Sequence, residues 1–90
     1  MSCPSNTKIV VQTESGRLII IPIINYQFNL FALKKLISDK EYVHIDNIDL
    51  SFCKEEMTHD FQGIDIYHRY FHQKFGKCIY KQTIQLKLNL

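Results

Sequence analysis

The sequence predicts an α+β domain: a mixed sheet of four to five strands, one helix packed across it, and a second helix. Three observations carry this. Lys8 to Ile24, KIVVQTESGRLIIIPII, sets two β-rich runs on either side of the polar break Glu14-Ser15-Gly16-Arg17. That is a hairpin signature, with Gly16 free to take the positive φ of a tight turn. Two stretches, Leu30 to Lys40 and Ile64 to Phe75, carry apolar residues at helical spacing. Near the C-terminus Ile84, Leu86, Leu88 and Leu90 alternate with Gln85, Lys87 and Asn89, the pattern of a strand with one buried and one wet face.

In chain order, Met1 to Thr7 lacks periodicity and reads as a flexible N-terminal arm, leaving 8–90 as a single domain. The first strand, Lys8 to Thr13, sets Ile9 and Val11 against Val10 and Gln12. In the second, Arg17 to Ile24, Ile19, Ile21 and Ile23 face the core while Leu18, Ile20 and Pro22 face outward. Pro22 has no N–H, which places it on an edge or at a strand end. Asn25 to Phe28 is a linker, and Asn29 is a suitable N-cap for the first helix, whose stripe is Leu30, Leu33, Leu36 and Ile37. Glu41 to Asn47 is a loop and Ile48 to Cys53 a strand. Lys54 to Asp60 reads as a polar turn region. Ile64, Tyr67, Phe71 and Phe75 mark the second helix, with Gly76 as its C′ glycine. The last strand runs over Ile79 to Leu90. The first and last strands share the centre of the sheet as parallel neighbours, so that their apolar faces are covered.

Ninety residues, 46% of them hydrophobic, suffice for one modest core. A net charge of +2 argues against binding driven by bulk attraction to nucleic acid or an acidic membrane. Cys3, Cys53 and Cys78 form an odd set without close spacing, which reads as reduced thiols in an intracellular protein, cytoplasmic or nuclear. The longest apolar run, Leu18 to Ile24, is too short to span a bilayer.

These residues resemble ubiquitin and its β-grasp relatives over nearly everything after Thr7. The hairpin is similar to the family's first two strands, including the Thr13, Gly16 and Arg17 turn. Leu36-Ile37-Ser38-Asp39-Lys40-Glu41 resembles ubiquitin's helix end, Asp46 and Asp49-Leu50-Ser51-Phe52 follow at its spacing, and Thr83 to Leu88 resembles its last strand. The resemblance implies a ubiquitin-like β-grasp fold and a non-catalytic protein-interaction module without cofactors. Three departures shape the expectation. The chain ends Lys87-Leu88-Asn89-Leu90 without Gly-Gly, which points to an integral ubiquitin-like domain or a member that is not conjugated. The positions matching ubiquitin's apolar recognition patch are Glu14, Ser51 and Lys87, so receptors that desolvate that patch would meet unpaired charge. Cys53 to Gln82 is about ten residues longer than the family's segment, which makes the second helix an insertion.

Candidate sites have competing readings. Val10, Leu18 and Ile20 would share the solvent face of the first hairpin as a partner surface with Arg17 and Lys8 at its rim, unless the chain folds back over them. Tyr67 and Tyr70 on the inserted helix are further partner-binding candidates. His68 and His72, four apart, could share a metal with Cys78 or His59, or simply face solvent. Arg69, Lys74, Lys77, Lys81 and Lys87 interleave with Tyr67, Tyr70, Phe71, Phe75 and Tyr80; this suits single-stranded nucleic acid, or else aromatics in a core beneath solvated lysines. For catalysis Cys53 and Cys78 lack any evident histidine partner. The expected function is protein binding without membrane association. The alternatives are a small nucleic-acid-binding domain and a small-GTPase-binding β-grasp domain.

Overall fold

Gly16 takes φ +92° and closes the first hairpin. Thr13 N donates to Arg17 O at 2.8 Å, Gly16 N to Thr13 O at 2.9 Å, and Arg17 N to the Thr13 hydroxyl at 3.0 Å. In this computed structural model, which describes residues 8–23 and 28–89, β1 (Lys8–Gln12) and β2 (Leu18–Pro22) pair antiparallel with Val10 opposite Ile20. Ile9, Val11, Ile19 and Ile21 are buried, so the register is the one that alternation predicts. The N-terminal arm, most of the linker after β2, and Leu90 lie outside the described residues.

The sheet continues with β3 (Ile48–Phe52), β4 (Glu55–Met57) and β5 (Ile84–Leu88), in the order β2-β1-β5-β3-β4. β5 runs parallel to β1 and antiparallel to β3, so first and last strands do sit together at the centre. Two expectations are corrected. The stretch read as a polar turn contains β4, joined to β3 by a two-residue turn in which Cys53 and Lys54 both have positive φ, 52° and 67°. The closing strand starts at Ile84 rather than Ile79, because Lys81 N and Gln82 N both donate to Cys78 O and curl 78–82 into a turn. Ile79 still reaches the core, as a buried turn residue.

α1 (Leu30–Glu41) begins where Asn29 Oδ1 accepts from Ala32 N at 2.8 Å, the cap that offsets one free amide of the first turn. Leu30, Leu33 and Ile37 are buried toward the sheet. The helix ends at Tyr42 in the left-handed conformation, φ 57°, a place that glycine fills more easily. A 3-10 turn, Ile45–Asn47, leads into β3.

α2 (Ile64–Phe75) has the span its apolar spacing predicts, and Gly76 ends it at φ 67°. It packs into the main core: Phe71 is fully buried with ring centroids 5.0 Å from Phe52 and 5.8 Å from Tyr67. The two helix starts are joined through the backbone. Leu30 N donates to Gln62 O, Phe31 N to Asp60 O, and Ile64 N to Phe28 O, with Asn29 and Gly63 bridged like strand neighbours. Lys34 adds a 3.1 Å ion pair to Asp60. The segment expected to be an insertion is therefore part of the core's wall.

Candidate interaction surface

Strand alternation decides what the outer face of the sheet presents. Every inward residue of β1 and β2 is apolar and buried, and so are Ile84, Leu86, Ile48 and Leu50. The outward residues divide by strand. Across β5 and β3 they are Gln85, Lys87, Asp49 and Ser51, with Lys87 opposite Asp49 and Gln85 opposite Ser51. Across β1 and β2 they are mainly aliphatic. Leu18 is 56% and Ile20 55% exposed, Val10 is half-buried, and Pro22 is exposed beside them. One side of the outer face is thus a hydrogen-bonded polar field and the other an apolar strip on the β2 edge. No described segment folds back over that strip to bury Leu18 or Ile20.

Arg17 lies at the start of β2 and pairs with Glu41 at the end of α1, which ties the hairpin to the helix beneath it. Lys8 is exposed at the other end, opposite Pro22. Glu14 is exposed in the turn, with its carboxylate 3.4 Å from Leu88 N. Glu14, Ser51 and Lys87 therefore make a charged, polar surface.

The helix α2 divides its candidates. Tyr67, expected at the surface, is only 4% exposed; its ring stacks on Phe71 and its hydroxyl accepts from His59 N at 2.7 Å. Burial holds its phenol above the ordinary tyrosine range, against the hydrogen bonds from His59 and Thr58 that pull it down. Tyr70 is exposed at 42% and receives a 3.1 Å hydrogen bond from Lys74, whose ammonium also pairs with Glu55 at 2.5 Å. That pair joins α2 to β4. It holds the Glu55 carboxyl below its usual value through the Lys74 hydrogen bond first and Tyr70 second.

Of the aromatics that the nucleic-acid reading used, Tyr67 and Phe71 are core residues, Phe75 and Tyr80 are half-buried, and Tyr70 is exposed. Sequence reasoning also missed three aromatics. Phe31 and Phe61 stack at 6.2 Å while exposed, and Tyr42 is 94% exposed beside an open groove along α1. The signal for Phe31 is its position off the Leu30, Leu33, Ile37 stripe. Phe61 and Tyr42 carry no periodic signal.

His68 and His72 have ring centroids 5.7 Å apart, and His68 lies against Tyr80 at 5.0 Å. Among the described residues no group of three or more His, Cys, Asp or Glu side chains comes together as a metal site. Cys53 is a free, exposed thiol, whereas Cys78 is disulfide-bonded, which corrects the expectation of reduced thiols throughout. His68 Nδ1 is buried without a hydrogen-bond partner. Burial, then the charges of His72 and Arg69, push its pKa below the ordinary histidine value. The unfolded chain therefore takes up this proton first as pH falls. The contribution is fully present above about pH 6.5 and is lost as pH drops through the folded-state pKa. Thermal melts at pH 7.5 and pH 5 should show a lower Tm at pH 5, with a smaller difference in His68→Gln. An unchanged pH dependence in that variant would contradict this account.

No protein-family model matches the sequence, and no curated protein matches it. Among solved structures, the chain is similar to the solution structure of a ubl5 domain from the polyubiquitin locus of T. thermophila. The TM-score is 0.70 and the identity 15%, with 96% of each chain covered. With the mixed sheet, its central parallel pair and the helix across it, this likeness establishes the architecture: the chain has the ubiquitin-like β-grasp fold.

Proposed function

We propose that this domain is a non-catalytic protein-interaction module, and that it engages another protein through the outer face of the first hairpin. The observation that carries the reading is the exposure of Leu18 and Ile20, beside Val10, on a strand whose opposite face is wholly buried. Clustered aliphatic side chains of this kind mark recognition surfaces, where a small apolar centre is desolvated inside a polar rim. Arg17, Lys8 and Gln12 supply that rim. Ile66 and Tyr70, four positions apart on α2, are also exposed.

Among the described residues no helix is long and apolar enough to cross a membrane. The disulfide at Cys78 removes the cysteine argument for a cytoplasmic or nuclear location.

The test is affinity capture with wild type and Ile20→Lys, after circular dichroism shows both folded. Ile20 points away from the core, so Ile20→Lys should keep the fold and lose a specific partner. In the bound state its ammonium would be desolvated without a counter-charge, which weakens binding by roughly a hundredfold. Undiminished capture by the folded variant would move attention to Tyr70 and α2. Unfolding would show that Ile20 supports the core.

A further inference from the structure

The open edge of β2 has a main chain as well as side chains, and its hydrogen-bond parity follows from the turn. Thr13 and Arg17 form a hydrogen-bonded pair at 2.8 Å. In an antiparallel ladder such pairs recur every second residue, so Val11–Ile19 and Ile9–Ile21 also exchange bonds. Leu18, Ile20 and Pro22 therefore turn their main-chain groups away from β1, toward an edge on which the sheet has no further strand among the described residues. Pro22 sits in the one parity class where its missing N–H removes no internal bond. Edge strands are commonly guarded by charge, yet Leu18–Pro22 carries none, and its proline lies at one end only.

We infer that this edge pairs with the same edge of a second copy of this chain, antiparallel and centred on Ile20, to join two sheets into one. The inference goes beyond the reading of the outer hairpin face as an interaction surface, because it concerns the main-chain edge beside that face. The register is self-complementary. Ile20 meets Ile20 of the other copy and the two exchange both bonds. Leu18 of each copy donates its N–H to the Pro22 carbonyl of the other, while the Leu18 carbonyl, which proline cannot serve, stays open to water at the end of the junction. The row across the junction then reads Val10, Ile20, Ile20, Val10, with Leu18 beside Pro22 on both flanks. Four aliphatic side chains, each exposed or half-exposed in the single copy, meet in one line. No like charges face each other directly, since Arg17 falls opposite Ile23, and a net charge of +2 per copy opposes association only weakly. The strip is far smaller than the roughly 800 Å² per partner of a stable interface, so pairing is weak and depends on concentration.

Sedimentation velocity from ~10 μM to ~1 mM tests this. The wild-type mass should rise from one chain toward two, while Ile20→Pro stays at one chain. That substitution keeps an apolar side chain and removes an N–H that points to the free edge; because proline also fixes φ at 20 and restricts Ile19, circular dichroism first shows that the variant is folded. Amide exchange on the wild type gives a second reading that needs no variant: Leu18 and Ile20 should become protected as concentration rises. A constant single-chain mass, an Ile20→Pro that dimerises like wild type, or unprotected Leu18 and Ile20 amides at every concentration would each overturn the pairing. Capture of a foreign partner and its loss in Ile20→Lys is measured independently, so either reading can fail while the other stands.

Discussion

Phe71→Ala should lower stability by about 3–5 kcal/mol, the loss expected for removing a fully buried aromatic ring that its surroundings cannot refill. Phe71 is the ring through which α2 joins the core, with Phe52 on the sheet side and Tyr67, Tyr70 and Phe75 along the helix. A domain of this size has about 5–15 kcal/mol in total, so the variant sits near the edge of folding. Its Tm should fall by at least ~12 °C, taking ~4 °C for each kcal/mol. Tyr70→Ala, one position earlier and exposed, should cost far less. Urea melts of the two variants provide the comparison. Equal and small losses would mean that α2 is an appendage on a core complete without it.

Replacing Cys53-Lys54 with Asn-Gly should raise stability by about 1–2 kcal/mol. The turn between β3 and β4 has positive φ at both central residues, 52° and 67°. This is the type I′ geometry that matches strand twist, and it favours Asn-Gly because other side chains crowd the backbone there. Both residues are exposed, so the exchange removes no core contact. The double variant should melt about 4–8 °C higher for each kcal/mol gained. Lys54→Val should move the other way, since a β-branched residue tolerates this conformation least. A drop in Tm for Cys53→Asn/Lys54→Gly would show that one of the two side chains has an undetected stabilising role.

That same turn explains part of what the sequence concealed. Glycine at 16 announced the first hairpin, but Cys53-Lys54 has no turn residue, and Glu55-Glu56-Met57 is too short and too charged to show alternation. The second hairpin was therefore invisible. At Cys78 to Gln82 the reverse happened: Ile79 reads as a strand residue by hydropathy, while paired hydrogen bonds to the Cys78 carbonyl make a turn there. The long elements were legible because one side of each is buried. The hairpin register and the apolar stripes of α1 and α2 follow from that, while the Asn29 cap and the end of α2 at Gly76 follow from residue type. The face assignment of Leu18 and Ile20 followed for the same reason. Tyr67 shows the limit. It belongs to the Ile64, Tyr67, Phe71 stripe that defined the helix, and a residue on the buried stripe is unavailable for a surface role. Phe31, Phe61 and Tyr42 were missed because exposure of a lone aromatic has no period.

The backbone clasp at the helix starts has a consequence for how the molecule opens. Leu30, Phe31 and Ile64 give their amide hydrogens to the carbonyls of Gln62, Asp60 and Phe28 on the opposite side of the clasp, far away in sequence. Neither helix can expose its first turn to solvent without releasing the other. These three amides should therefore exchange with solvent at one common rate. Opening α2 at its start costs these bonds as well as its own contacts, so the segment that looks like an addition should open together with α1, which amide exchange of the two helix starts would show as a common rate.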